Sequence, residues 1–327
     1  MSSERIETEK SLQRKSGYSV LKCRVKDSRW IKRSISSRGL MRTRFGNIGI
    51  MIQFSKKGIK SKKVYIRVSG RKVPLLILRP LKDKPKATGV LWIHGGGYMT
   101  GMKEMAYMGR AADLVREHDA VVISPGYHLS LLHPYPTALR ECYAALLYMK
   151  KHAAELRINS DQLMIGGESA GGGLTAAVSM LARDKGEVNI AFQMPLYPMI
   201  DNHDTPSSRD NHAKIWNTRR NHMAWRMYLR SDHKKEVSPY AAPARQKDYR
   251  NLPPAYTFVS TAEPFHDETL TFIDNLKKAG VEAKVDVYEG MYHAFDMMEP
   301  EHPTGRKAIE AFNEYFQYAQ KTYFAKN

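Results

Sequence analysis

Ser169 stands in Gly167-Glu168-Ser169-Ala170-Gly171, a G-x-S-x-G pattern between a predicted strand and a predicted helix. A serine hydroxyl attacks an acyl carbon only when a turn exposes it and a neighbouring base takes its proton. Gly167 and Gly171 permit a turn too tight for side chains, so the hydroxyl would project at the N-terminus of the following helix. Upstream, His94-Gly95-Gly96-Gly97 ends another predicted strand. Successive glycines let backbone N–H groups face a cavity. There they could stabilise the oxyanion of a tetrahedral acyl intermediate alongside the N–H of Ala170, the residue after the serine.

Such a serine also needs a base and an acid to orient it, expected later in the chain on loops after successive strands. His293, in EGMYHAFDMM, follows the last predicted strand. His203, His212, His222 and His233 lie in an irregular stretch, His266 stands among the candidate acids, and His302 is well past the strand end. For the acid, the stretch Glu263-Pro264-Phe265-His266-Asp267-Glu268 offers three carboxylates. Glu263 is favoured because it ends a strand, with Asp267 as the alternative. Asp267 and Glu268 also sit where a helix N-terminus favours negative charge.

The elements that must position these residues follow from local patterns. KVYIRV (63–68) and KVPLLILRP (72–80) flank Ser69-Gly70 as a hairpin. Beyond the polar stretch 81–89, strands are predicted at 90–97, 120–127, 161–169, 189–200, 255–263 and 282–290. Helices are predicted at 136–156, 171–186, 267–280 and near 304–324. This alternation predicts an α/β fold with a mostly parallel, doubly wound sheet. Residues 201–250 break the rhythm with a segment rich in His, Arg, Asp and Asn, and a helix is expected at 217–231.

The chain has 327 residues and a net charge of +19. Residues 1–90 hold 25 Lys and Arg against 5 Asp and Glu, a balance of +20, and residues 91–327 stand at −1. The charge therefore belongs to the N-terminal quarter and does not describe the part that holds the proposed chemistry. The aromatic residues of the basic segment 1–60, Tyr18, Trp30, Phe45 and Phe54, are too sparse for a base-stacking platform, so no nucleic-acid partner is expected. Contact of this basic N-terminus with a membrane surface is the competing use of the same charge. No apolar run is long enough to span a bilayer and the first twenty residues lack a secretion-signal core, so a cytoplasmic location is expected. Cys23 and Cys142 form neither a disulfide framework nor a zinc pattern, and neither metal nor cofactor is called for.

Taken together, HGGGYMTG (94–101), YHLSLLHPYP (127–136), GESAGGGL (167–174), EPFHDE (263–268) and YHAF (292–295) resemble the α/β-hydrolase superfamily. Within it they resemble the hormone-sensitive-lipase-like esterases, bacterial esterase family IV, over about residues 64–327. The resemblance implies a Ser169, Glu263 and His293 triad with oxyanion donors at Gly96, Gly97 and Ala170. It implies a serine carboxylesterase acting on a small-molecule ester with short acyl chains. Hydrolysis of amides or formamides, acyl transfer, or an inactive ligand-binding homologue are the alternatives on the same framework. Family members often form homodimers, an expectation that carries over by analogy. They also carry a helical cap, which here implies a division into a basic segment 1–60, part of the cap, and a catalytic domain 61–327 with a cap insertion at about 201–250. The sequence departs from the family in three places. Glu263 replaces the commoner aspartate, Glu168 stands where G-D-S-A-G-G has aspartate, and Tyr127-His128-Leu129-Ser130-Leu131-Leu132 replaces Y-R-L-A-P-E.

Overall fold

Alternating apolar residues along each central strand divide the interior into two layers, one on each face of a single sheet. Leu91 and Ile93 face one core, whereas Val90 and Trp92 face the other. The period of two is that of an extended chain buried on both faces. The computed structural model describes residues 40–45, 48–53, 57–82, 84–230 and 236–327.

The strands are β1 (Leu40–Phe45), β2 (Ile48–Gln53), β3 (Ile59–Val68), β4 (Arg71–Pro80), β5 (Ala87–Ile93), β6 (Val121–Pro125), β7 (Ile158–Glu168), β8 (Phe192–Leu196), β9 (Ala255–Ser260) and β10 (Ala283–Tyr288). β1 and β2 pair antiparallel in a two-stranded sheet, and the other eight form one sheet in the order β10-β9-β8-β7-β5-β6-β4-β3. From β6 to β10 across that sheet every pairing is parallel, and β4 joins β6 and β3 antiparallel. This is the α/β architecture expected from the alternation of elements. The expected hairpin is present, with its strands somewhat longer than the apolar runs that announced it.

The helices are α1 (Gly109–Arg116), α2 (Thr137–Lys151), α3 (Ala170–Lys185), α4 (Pro206–Arg209), α5 (Thr218–Leu229), α6 (His266–Lys278), α7 (Phe295–Met298) and α8 (Pro303–Thr322). α2 and α3 cover one face through Leu139, Cys142, Leu174 and Val178. α1 and α8 cover the other through Leu114, Val115, Phe312 and Phe316. α6 packs Phe272, Ile273 and Leu276 against Ala176 and Met180 of α3. α1 has no counterpart among the elements predicted from sequence. Its eight residues, without a side-chain N-cap, are too short to display a helical period.

The chain leaves β5 for β6 on one side and then crosses to β7 on the other, which makes the carboxyl end of β5 a switch point of the sheet. Loops diverge there and leave a crevice. His94 to Gly97 follow β5, and Ser169 follows β7, so both lie at that crevice. The stretch 201–250 separates β8 from β9 and contains α4, α5 and a short 3₁₀ turn, Pro243–Arg245. Of the basic segment 1–60, residues 1–39, 46–47 and 54–56 lie outside the described residues, as does the candidate His233.

Candidate active site

Ser169 occupies the turn between β7 and α3 with φ +57° and ψ −119°, a conformation that costs an ordinary residue on the order of 1–3 kcal/mol. Close packing enforces it. A Cβ at Gly171 would stand 2.0 Å from the carbonyl oxygen of Ile93, and one at Gly167 2.3 Å from the same oxygen. Only glycine lets this turn press against the end of β5. The carbonyl of Ser169 accepts from the amides of Gly173 at 2.9 Å and Met199 at 3.0 Å. A peptide is planar and trans, so anchoring the Ser169 carbonyl turns the Ala170 N–H in the opposite direction.

The same device operates twice in the loop after β5. The Gly96 carbonyl accepts from Met99 N at 3.1 Å, Thr100 N at 3.0 Å and Thr100 Oγ1 at 2.9 Å, which fixes the direction of the Gly97 N–H. His94 Nδ1 donates to the Gly95 carbonyl at 2.8 Å and so fixes the Gly96 N–H. Gly96 and Gly97 have φ of +114° and +59°, values that glycine adopts without strain. Among the described residues neither of these two amides meets a backbone acceptor. The His94 ring stacks on Tyr127 with centroids 4.2 Å apart, and Tyr127 Oη donates to the His94 carbonyl at 2.9 Å. Burial pushes the His94 imidazole down to about 4, so it is neutral at physiological pH.

His293 lies between β10 and α7, close to Ser169. Ser169 Oγ donates to His293 Nε2 at 2.9 Å. A carboxylate can only accept, so the opposite nitrogen, Nδ1, donates to Glu263 Oε2, at 2.5 Å. Glu263 Oε1 accepts from Ser260 N at 3.0 Å, and Ser260 Oγ donates to the Met291 carbonyl, tying the acid loop to the histidine loop. All three side chains are buried, with Glu263 fully so. Tyr197 and Phe265 meet the His293 ring edge-on at 5.0 Å each and hold its plane.

Asp267, the alternative acid, points elsewhere. It accepts from Ser207 N at 2.8 Å and from His266 Nδ1 at 2.8 Å, joining α6 to the insertion. Glu268 accepts from Ile200 N and Asp201 N where the insertion begins, and burial raises its carboxyl well above the usual range. The two remaining departures from the family pattern also find partners. Glu168 accepts from Trp92 Nε1 at 2.8 Å, and burial pushes its carboxyl up to about 8. His128 donates from both its amide and Nδ1 to the buried Glu141, each at 2.7 Å.

Sequence reasoning missed the aromatic contacts that join the insertion to this site. Tyr98 stacks on Tyr228 of α5 at 4.0 Å, and its hydroxyl donates to the Met199 carbonyl at 2.7 Å. A Cβ at Gly97 would stand 2.3 Å from the Trp216 ring, whose centroid is 6.3 Å from that of His293. No spacing rule pairs residues so far apart in the chain. The only local signal was the concentration of aromatics in 216–228.

Known proteins are similar to this chain in sequence and in fold. The family described as alpha/beta hydrolase fold matches residues 90–297. The chain is 29% identical over 215 residues to Esterase LipI of Mycobacterium tuberculosis, covering 65% of this chain and 67% of that one. It is 28% identical over 239 residues to Arylesterase of Saccharolobus solfataricus, covering 72% and 77% respectively. Among solved structures, Bacterial Heroin Esterase superposes with a TM-score of 0.77 at 29% identity, covering 81% of this chain and 86% of that one. The chain belongs to the α/β-hydrolase fold family and is a carboxylic ester hydrolase.

Proposed function

We propose that the protein hydrolyses short-chain acyl esters through a covalent acyl-enzyme, with Ser169 as nucleophile, His293 as base and Glu263 as the acid that orients it. The observation that carries this reading is the hydrogen-bonded line from Ser169 Oγ through His293 to Glu263. Ser169 Oγ attacks the acyl carbon as its proton passes to His293 Nε2. Negative charge then gathers on the carbonyl oxygen, facing the amides of Gly96, Gly97 and Ala170. Their directions are set beforehand by anchored carbonyls, so no reorganisation is needed as the charge develops. The imidazolium returns its proton to the departing alkoxide, and Glu263 stabilises the positive ring through Nδ1. A water deprotonated by His293 then attacks the acyl carbon, and collapse of the second intermediate frees Ser169.

The insertion at about 201–250 is the cap of this site in the same reading. Support comes from the Tyr98–Tyr228 stack and from Trp216 against the oxyanion loop. Ser169→Ala tests the nucleophile. Hydrolysis of p-nitrophenyl acetate should fall by on the order of 10³-fold or more with the fold intact. Turnover at the parent rate would show that another group performs the chemistry.

A further inference from the structure

Trp216 lies just before α5, in the insertion, and 5% of its surface is exposed. One edge of its indole meets the Cα of Gly97, where an added methyl would come 2.3 Å from Cη2 and 3.0 Å from Cζ2. The same ring is tilted 44° to His293 and 45° to Phe265, with both centroids 6.3 Å away. The indole thus reaches from the oxyanion loop toward the base. It is also held in place. Two residues of α5, Trp225 and Tyr228, pack on Tyr98, which directly follows Gly97 in the chain. At the other end of the insertion Ser207 exchanges hydrogen bonds with Asp267 at 2.8 and 3.2 Å.

We infer that Trp216 sets the upper size of the acyl group. The inference rests on the proposed acyl-enzyme route and adds to it the wall that selects the substrate. In that route the alcohol departs on the His293 side, where it receives its proton. The acyl chain remains on Ser169 with its carbonyl oxygen toward Gly97. The ring contact with Gly97 is therefore a contact with the loop that holds the acyl carbonyl. An indole fixed there leaves room for a small acyl group and excludes a long one, whereas a smaller side chain at the same position extends the space.

The test is to compare wild type with Trp216→Ala on p-nitrophenyl acetate, butyrate and octanoate, and on a second series that varies the alcohol at constant acetyl. The octanoate-to-acetate ratio of kcat/KM should rise by about tenfold or more, since each methylene excluded or admitted is worth roughly that much. The alcohol series should move less. Trp216→Phe keeps an aromatic ring in the core and should shift the acyl ratio in the same direction by a smaller factor, which decides the matter if the alanine variant fails to fold. An unchanged acyl ratio in a folded variant, or a shift confined to the alcohol series, overturns the inference. Wild-type turnover that Ser169→Ala abolishes, accompanied by an unchanged acyl ratio, would remove Trp216 from its role and leave the acyl-enzyme route standing. Persistence of turnover in Ser169→Ala would remove both.

Discussion

Glu263 and His293, thirty residues apart in the chain, meet at 2.5 Å through a fully buried carboxylate and Nδ1 of the imidazole. The contact fixes the tautomer, because a ring that donates from Nδ1 has its lone pair at Nε2, where Ser169 stands. Glu263 supplies one carbon more than the aspartate common at this position, and Ser260 N holds its second oxygen.

Glu263→Gln keeps the shape of this side chain and removes its charge. Its amide would face Nδ1 as a donor and favour the wrong tautomer, so kcat should fall by on the order of 10³–10⁴. Steady-state kinetics on p-nitrophenyl acetate beside a thermal melt checks this, with the loss in kcat and a small change in Tm as the expected pair.

Glu168 gives a pH-dependent prediction. Its carboxyl rises from 4.5 in the unfolded reference to about 8 through burial, so the native state binds the proton more tightly. Wild type should therefore lose stability as pH climbs from about 4.5 to about 8, and no further above that. Glu168→Gln, which retains an acceptor for Trp92, lacks this loss. Denaturant melts should show a gap in favour of the variant that opens over this interval and reaches on the order of a few kcal/mol at pH 9.

Gly171→Ala tests the packing that forces the serine turn. Its methyl would stand 2.0 Å from the Ile93 carbonyl oxygen, which is backbone and cannot swing aside. The variant should be destabilised by about 1–3 kcal/mol in urea titration, with kcat reduced as Ser169 shifts from His293.

The parts of this site that were legible in the sequence are those built from contiguous residues. The serine turn and the glycine loop each need a fixed local order of small residues, and both can be read directly at 167–171 and 94–97. His293 was legible by its place after the last strand, and Glu263 by its place after the one before, although Asp267 stood equally near in the chain. Only the fold separates them, by turning Asp267 toward Ser207 and His266. Trp216 was invisible because its importance lies in contacts with Gly97 and His293, set by how the insertion returns over the sheet. α1 escaped because two turns of GRAADLVR display too little of a period.

The most direct test of the central claim is to label the full chain with a fluorophosphonate and map the adduct by peptide mass spectrometry. One phosphonyl group on Ser169 in wild type and none in Ser169→Ala is the expected result. A protein that turns over p-nitrophenyl acetate yet carries the adduct at another residue, or carries none, would contradict it.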